Sequence, residues 1–140
     1  MAESSLQAVA VHEQVVEEFA ERLDMLEESE QVTKLARRLT ELALTDLATS
    51  LHLRFTEDNA AQFVTHLAIA LTRINRGDPP VEVSPMVDEE IAERHREREA
   101  MARVMTDCAR LLERDVPDTE IAYMAVHLCA IVDLQSEKDR

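Results

Sequence analysis

Gly77 is the only glycine in 140 residues. Glycine takes the left-handed torsions of tight turns most readily, and proline, the other main breaker of regular structure, occurs only at positions 79, 80, 85 and 117. A chain so poor in turn formers folds into few, long elements. Its abundant Ala, Leu and Glu, with six Met, one Tyr, three Phe and no Trp, favour helix over strand. The expected class is therefore all-α, a single five-helix bundle around one core.

The apolar spacing places these helices. Ser4-Ser5-Leu6-Gln7 reads as a capping box, and Val16, Phe19, Ala20 and Leu23 follow helical spacing, predicting a first helix over about 5–28 with Val9, Val16, Phe19 and Leu23 available for packing. A second is expected over 31–53 through Val32, Leu35, Leu39, Leu42 and Leu47. Thr56 is a good N-cap for a third, with Glu57 and Asp58 at its positive end, and Gly77 stops it before Pro79-Pro80. Ser84-Pro85 opens a fourth that should reach about Glu113. The fifth starts at Pro117 or Asp118 and ends near Leu134. The expected organisation is an acidic N-terminal helix (1–30), a helical bundle (31–135) and a frayed polar tail (136–140).

The charge bounds the function. With 15 basic and 29 acidic residues the formal charge is -14, which argues against direct binding to a nucleic-acid backbone by the chain alone. Residues 1–30 hold nine acids against the single Arg22, a net of -8. That helix is expected either to cover the bundle or to join a dimer interface. Cys108 and Cys129 form no CxxC pair and lie in apolar helical patterns, fitting a reducing cytoplasm. No apolar run is long enough for a membrane span, and Met1-Ala2-Glu3 lacks a signal peptide's positive start, so an intracellular protein with no membrane contact is expected.

Five histidines (12, 52, 66, 95, 127) and many carboxylates raise the question of metal chemistry, but neither Glu-x-x-His nor His-Glu-x-x-His occurs. One glycine also excludes Gly-rich phosphate loops and nucleophile elbows. No catalytic residue, metal or cofactor is nominated, and a non-enzymatic protein is expected. The run from Glu93 to Glu99 reads as a solvated helix face, with His95 exposed.

Two histidines stand apart because each interrupts an apolar helix, where burying an imidazole costs free energy unless its nitrogens find partners. In 63–74, Phe63, Val64, Leu67, Leu71 and Ile74 form one stripe, and His66 falls on its flank, roughly 110° from the centre. Ala70 and Arg73 follow one and two turns on, so a guanidinium can lean back toward His66. In the last helix Ile121, Ala125, Leu128 and Val132 form the expected stripe, with His127 roughly 100° away. Glu120 and Tyr123 share the His127 side, and Glu120 could orient one ring nitrogen while leaving the other as a nucleophile.

The spacings His66-x6-Arg73 and Pro117-x2-Glu120-x6-His127, in this order, resemble the PTS regulation domain, or PRD, over roughly residues 35–134. In that family two such histidines accept phosphoryl groups from the sugar phosphotransferase system. The resemblance implies an all-α, non-catalytic, antiterminator-like regulatory module with phosphoacceptors His66 and His127 supported by Arg73 and Glu120, to which the helical spacing adds Tyr123. It implies a homodimer, a donor such as the phosphocarrier protein HPr or an enzyme II component, and a transcriptional or metabolic target. One copy is present, so a free-standing regulator is expected. Thr65 stands where the family usually has Asp, and the Tyr-Pro pair of its middle helix is missing from the Glu93–Glu99 run. The alternative function is a constitutive helical dimerisation or interaction module with structural histidines.

Overall fold

The computed structural model describes residues 2–79 and 91–138, with side chains from 6 to 137. Six helices are present among them: α1 (Ala2–Glu18), α2 (Ala20–Glu28), α3 (Lys34–Leu51), α4 (Glu57–Arg76), α5 (His95–Leu112) and α6 (Asp118–Lys138). The all-α expectation holds, and the count of five is corrected to six. The extra element comes from a bend in the first predicted helix. At Phe19 the torsions depart from helical (φ -106°, ψ 10°), yet the Phe19 and Leu23 amides still donate to the carbonyls four residues back. The rod is bent rather than broken, which lets the fully buried Phe19 ring and Leu23 follow the core surface. The helix is already under way at Ala2, upstream of the expected capping box at Ser4.

α3 lies at the centre, in contact with α1, α2, α4 and α5, while α6 closes the bundle against α4 and α5. Its N-cap is Thr33, whose side chain accepts from the Ala36 amide. One cluster of buried residues runs from Val15, Phe19, Leu23 and Leu26 of the N-terminal pair to Met124, Leu128 and Ile131 of α6. The acidic N-terminal segment therefore covers the bundle and shares its core. Polar ties hold it there: the His12 ring nitrogen lies 3.1 Å from the Thr45 hydroxyl, and Arg37 pairs with Asp24 and Glu27. Val9, expected to pack, is exposed, and Val15 takes the buried position instead.

The two helices that carry the candidate histidines are fixed by their ends. Thr56 and Asn59 form a reciprocal capping box at the start of α4, and Gly77 ends it in the left-handed region (φ 75°). α6 begins directly after Pro117 and runs to Lys138, so residues 136–138 belong to it rather than to a tail; 139 and 140 lie outside the described residues. The expected helix start at Ser84-Pro85 also lies outside them, and α5 proper begins at His95. In its charged run His95 is exposed, but Glu97 is buried. Arg94 bridges Glu97 and Asp133 there, joining the start of α5 to α6, and this supplies the partner that a buried carboxylate needs.

Candidate functional site

The buried stripe of α4 is the expected one: Phe63, Val64, Leu67, Leu71 and Ile74 all face the core, which leaves His66 exposed at the edge. The stripe of α6 differs. Met124, Ala125, Leu128 and Ile131 are buried while Ile121 and Val132 are only partly so, which rotates the helix from its expected setting. Met124 and Ile131 turn His127 toward α4 as a half-buried residue. The same rotation carries Glu120, one turn before Met124, into the packed face, where 8% of it remains exposed.

The outcome is a three-ring cluster between α4 and α6. His66 and His127 stack with ring centroids 5.2 Å apart and planes 26° from parallel. Tyr123 meets both edge-on, at 5.8 Å from His66 and 4.9 Å from His127. Burial pushes the His127 pKa down, and the neighbouring charge of His66 pushes it the same way. A neutral imidazole with a free lone pair is the form that can act as a nucleophile.

Three of the five expected site residues, His66, His127 and Tyr123, meet at this seam directly, and Glu120 and Arg73 are coupled to it through charge. Glu120 does not take its expected role as partner of His127, because no hydrogen bond joins the two among the described residues. Its carboxyl pKa is raised by burial, against the opposing pull of Arg73 and His66. Glu120 is thus electrostatically tied to α4. Arg73 itself is exposed, and together with Glu120 it borders a cleft of about 520 Å³ at the end of the cluster.

Sequence reasoning missed Arg22. From α2 its guanidinium donates to both Glu57 carboxylate oxygens (2.9–3.2 Å) and to the Thr65 hydroxyl at 3.1 Å. Glu18 accepts from the Glu57 amide at 2.9 Å. The N-terminal pair thereby grips the first turns of α4 up to the residue before His66. The available signal was that Arg22 is the sole base among thirty N-terminal residues. Among the described residues no set of three His, Cys, Asp or Glu side chains could hold a metal ion, and no helix is long and apolar enough to cross a membrane.

The family model for the PRD domain matches residues 41–130, which span both histidines and the helices that bring them together. The chain belongs to the PRD family. Its members are regulatory, non-catalytic modules, and the matched span contains His66 and His127. No curated protein and no solved structure matches the chain significantly. The matched span begins within α3, so the α1–α2 pair with Arg22 lies outside it, while the partners of Arg22, Glu57 and Thr65, lie inside.

Proposed function

We propose that this PRD protein is a regulator of the sugar phosphotransferase system that is reversibly phosphorylated on His66, and secondarily on His127, by HPr or an enzyme II component. The observation that carries the reading is the facing pair of imidazoles across the α4–α6 packing, inside the family-matched span. His66 is exposed, so a protein donor can reach it. A ring-nitrogen lone pair forms the new N–P bond as the bond between the phosphoryl group and the donor's own side chain breaks, and the donor side chain leaves with that electron pair. The product carries nearly two negative charges against a stacked imidazole and beside the buried Glu120 carboxylate, which strains the α4–α6 contact. Arg73 offsets part of that charge.

The consequence of the strain is a change in how the protein associates with itself or with a transcriptional or metabolic target. Leu42 (54% exposed) and Leu111 (64%) stand on the surface as apolar material for such a contact, and a homodimer in the cytoplasm is the proposed assembly. Light scattering should give twice the 15.9 kDa monomer mass at tens of micromolar.

A second reading, a constitutive helical interaction module, draws support from Tyr123, whose edge contacts give both imidazoles a packing partner without any chemistry. One experiment separates the two. Incubation with enzyme I, HPr and phosphoenolpyruvate, and separately with added enzyme II components, should place an acid-labile, base-stable phosphate on His66. No label under any donor pairing would leave the constitutive module as the function.

A further inference from the structure

The cleft beside the histidine cluster lies where the C-terminal ends of α4 and α5 meet the first turn of α6. Its volume, about 520 Å³, is that of a small-molecule site. Apolar side chains from Ala70, Ile74 and Ala109 line its inner part. Three arginines line it from separate turns: Arg73 from α4, Arg110 from α5 and Arg114 from the connection after α5.

These guanidiniums are largely uncommitted. Among the described residues Arg73 and Arg114 enter no salt bridge, and Arg110 has one at 3.9 Å to the exposed Asp107. The backbone is shaped around them. Gly77 and Glu113 end their helices in left-handed caps, at φ 75° and 56°. The Arg114 guanidinium lies over Gly77, 3.3 Å from where a Cβ would stand, so the absent side chain is what lets Arg114 lie across the helix end. Four carboxylates also line the cleft, those of Asp78, Glu113, Asp115 and the buried Glu120, so both signs of charge meet there. A simple anion would be attracted by the arginines and repelled by these carboxylates, whereas a simple cation would meet the reverse.

We propose that this cleft binds a small phosphomonoester whose carbon skeleton carries hydroxyl groups. The planar guanidinium forks recognise the dianionic phosphate, and the carboxylates accept hydrogen bonds from the hydroxyls. The first turn of α6 presents the positive end of a helix dipole, but the ends of α4 and α5 present negative ones, so the attraction for a phosphate comes from the arginines. Binding needs no modified histidine. Because Arg73 and Glu120 border both the cleft and the histidine cluster, an occupied cleft changes the electrostatic surroundings of His66, so the two sites are coupled.

The test is calorimetric titration of the unmodified full chain with glucose 6-phosphate, inorganic phosphate and glucose, followed on the same samples by the His66 and His127 ring signals in NMR. Glucose 6-phosphate should bind at least about tenfold more tightly than inorganic phosphate and shift the His66 signals, while glucose should not bind. Arg114→Ala should weaken binding about tenfold, and Arg110→Ala provides the same test should the first variant be poorly folded. Arg96→Ala, which removes an exposed charge at the other end of α5, should bind as the parent does. No heat with glucose 6-phosphate at millimolar concentration, equal affinity for inorganic phosphate, or affinity unaltered by both the Arg114 and Arg110 substitutions would each overturn the proposal. Since no phosphoryl donor is present, failure here leaves histidine phosphorylation unaffected, and the converse also holds.

Discussion

His66 and His127 lie face to face across two helices, with ring centroids 5.2 Å apart, so the two imidazoles cannot both take up a proton without mutual repulsion. His127 bears the consequence, because it is also half-buried and its pKa is lowered by burial first and by His66 second. A histidine whose folded pKa is depressed binds fewer protons than in the unfolded chain. Its contribution to stability is therefore undiminished above the unfolded value near 6.5 and is lost as pH falls through that value toward the folded one. The urea midpoint of the parent, compared with that of His127→Gln at each pH, should decline between about pH 7 and pH 5. A constant difference across that range would show that the stacked pair imposes no protonation cost.

The bend at Phe19 sets a second expectation. Its ring is fully buried, and it sits where the helical rod turns to follow α3. Phe19→Ala should cost about 3–5 kcal/mol, from lost transfer free energy and the cavity left behind. Against a total stability of about 5–15 kcal/mol this is a large share, and it should appear as a lower urea midpoint for the whole chain in one transition. Separate melting of the N-terminal pair, with the remainder unaffected, would contradict the single shared core.

Arg22 should couple to Glu57 energetically as well as geometrically. Both side chains retain solvent contact, at 27% and 40% exposure, so the ion pair is screened and its coupling should lie near about 0.5–1 kcal/mol in a double-mutant cycle with Arg22→Ala and Glu57→Ala. Bidentate geometry and the added bond to Thr65 place it at the upper end of that range. A coupling indistinguishable from zero would mean that the grip on α4 comes from apolar packing and the Glu18 bond to the Glu57 amide, without help from the ion pair.

How far the residues foretold this site depends on whether the signal was local. The ends of α4 were legible because Thr56 and Gly77 act through their own backbone neighbourhood, and its buried stripe was legible because five large apolar residues leave one possible face. The setting of α6 was not. Ile121, Met124, Ala125, Leu128, Ile131 and Val132 offer two overlapping stripes of similar hydrophobicity, and packing against α4 and α5 chooses the one with Met124 and Ile131. From that choice follow the meeting of the two imidazoles and the burial of Glu120. The bend at Phe19 and the contact of Arg22 with Thr65 are likewise tertiary effects, the latter between residues 43 positions apart.

Arg73 and Glu120 yield the prediction that bears most directly on phosphorylation. They act on His66 with opposite sign: Arg73 is an exposed cation on the same helix, whereas Glu120 is a buried carboxylate whose pKa is raised by desolvation despite the pull of Arg73 and His66. A phosphoryl group on His66 is drawn to the first and repelled by the second. Arg73→Ala should lower His66 labelling or shorten the lifetime of the phosphorylated form by about tenfold, with the fold intact because the side chain faces solvent. Glu120→Gln should act in the other direction, since it keeps the shape while removing the buried charge, and it should leave stability at pH 7 equal or slightly higher. Phosphorylation of each variant by enzyme I, HPr and phosphoenolpyruvate, read by mass spectrometry under non-acidic conditions, checks both. Label found only on His127, or undiminished labelling of His66→Ala, would show that His127 is the primary acceptor and that Arg73 serves another purpose.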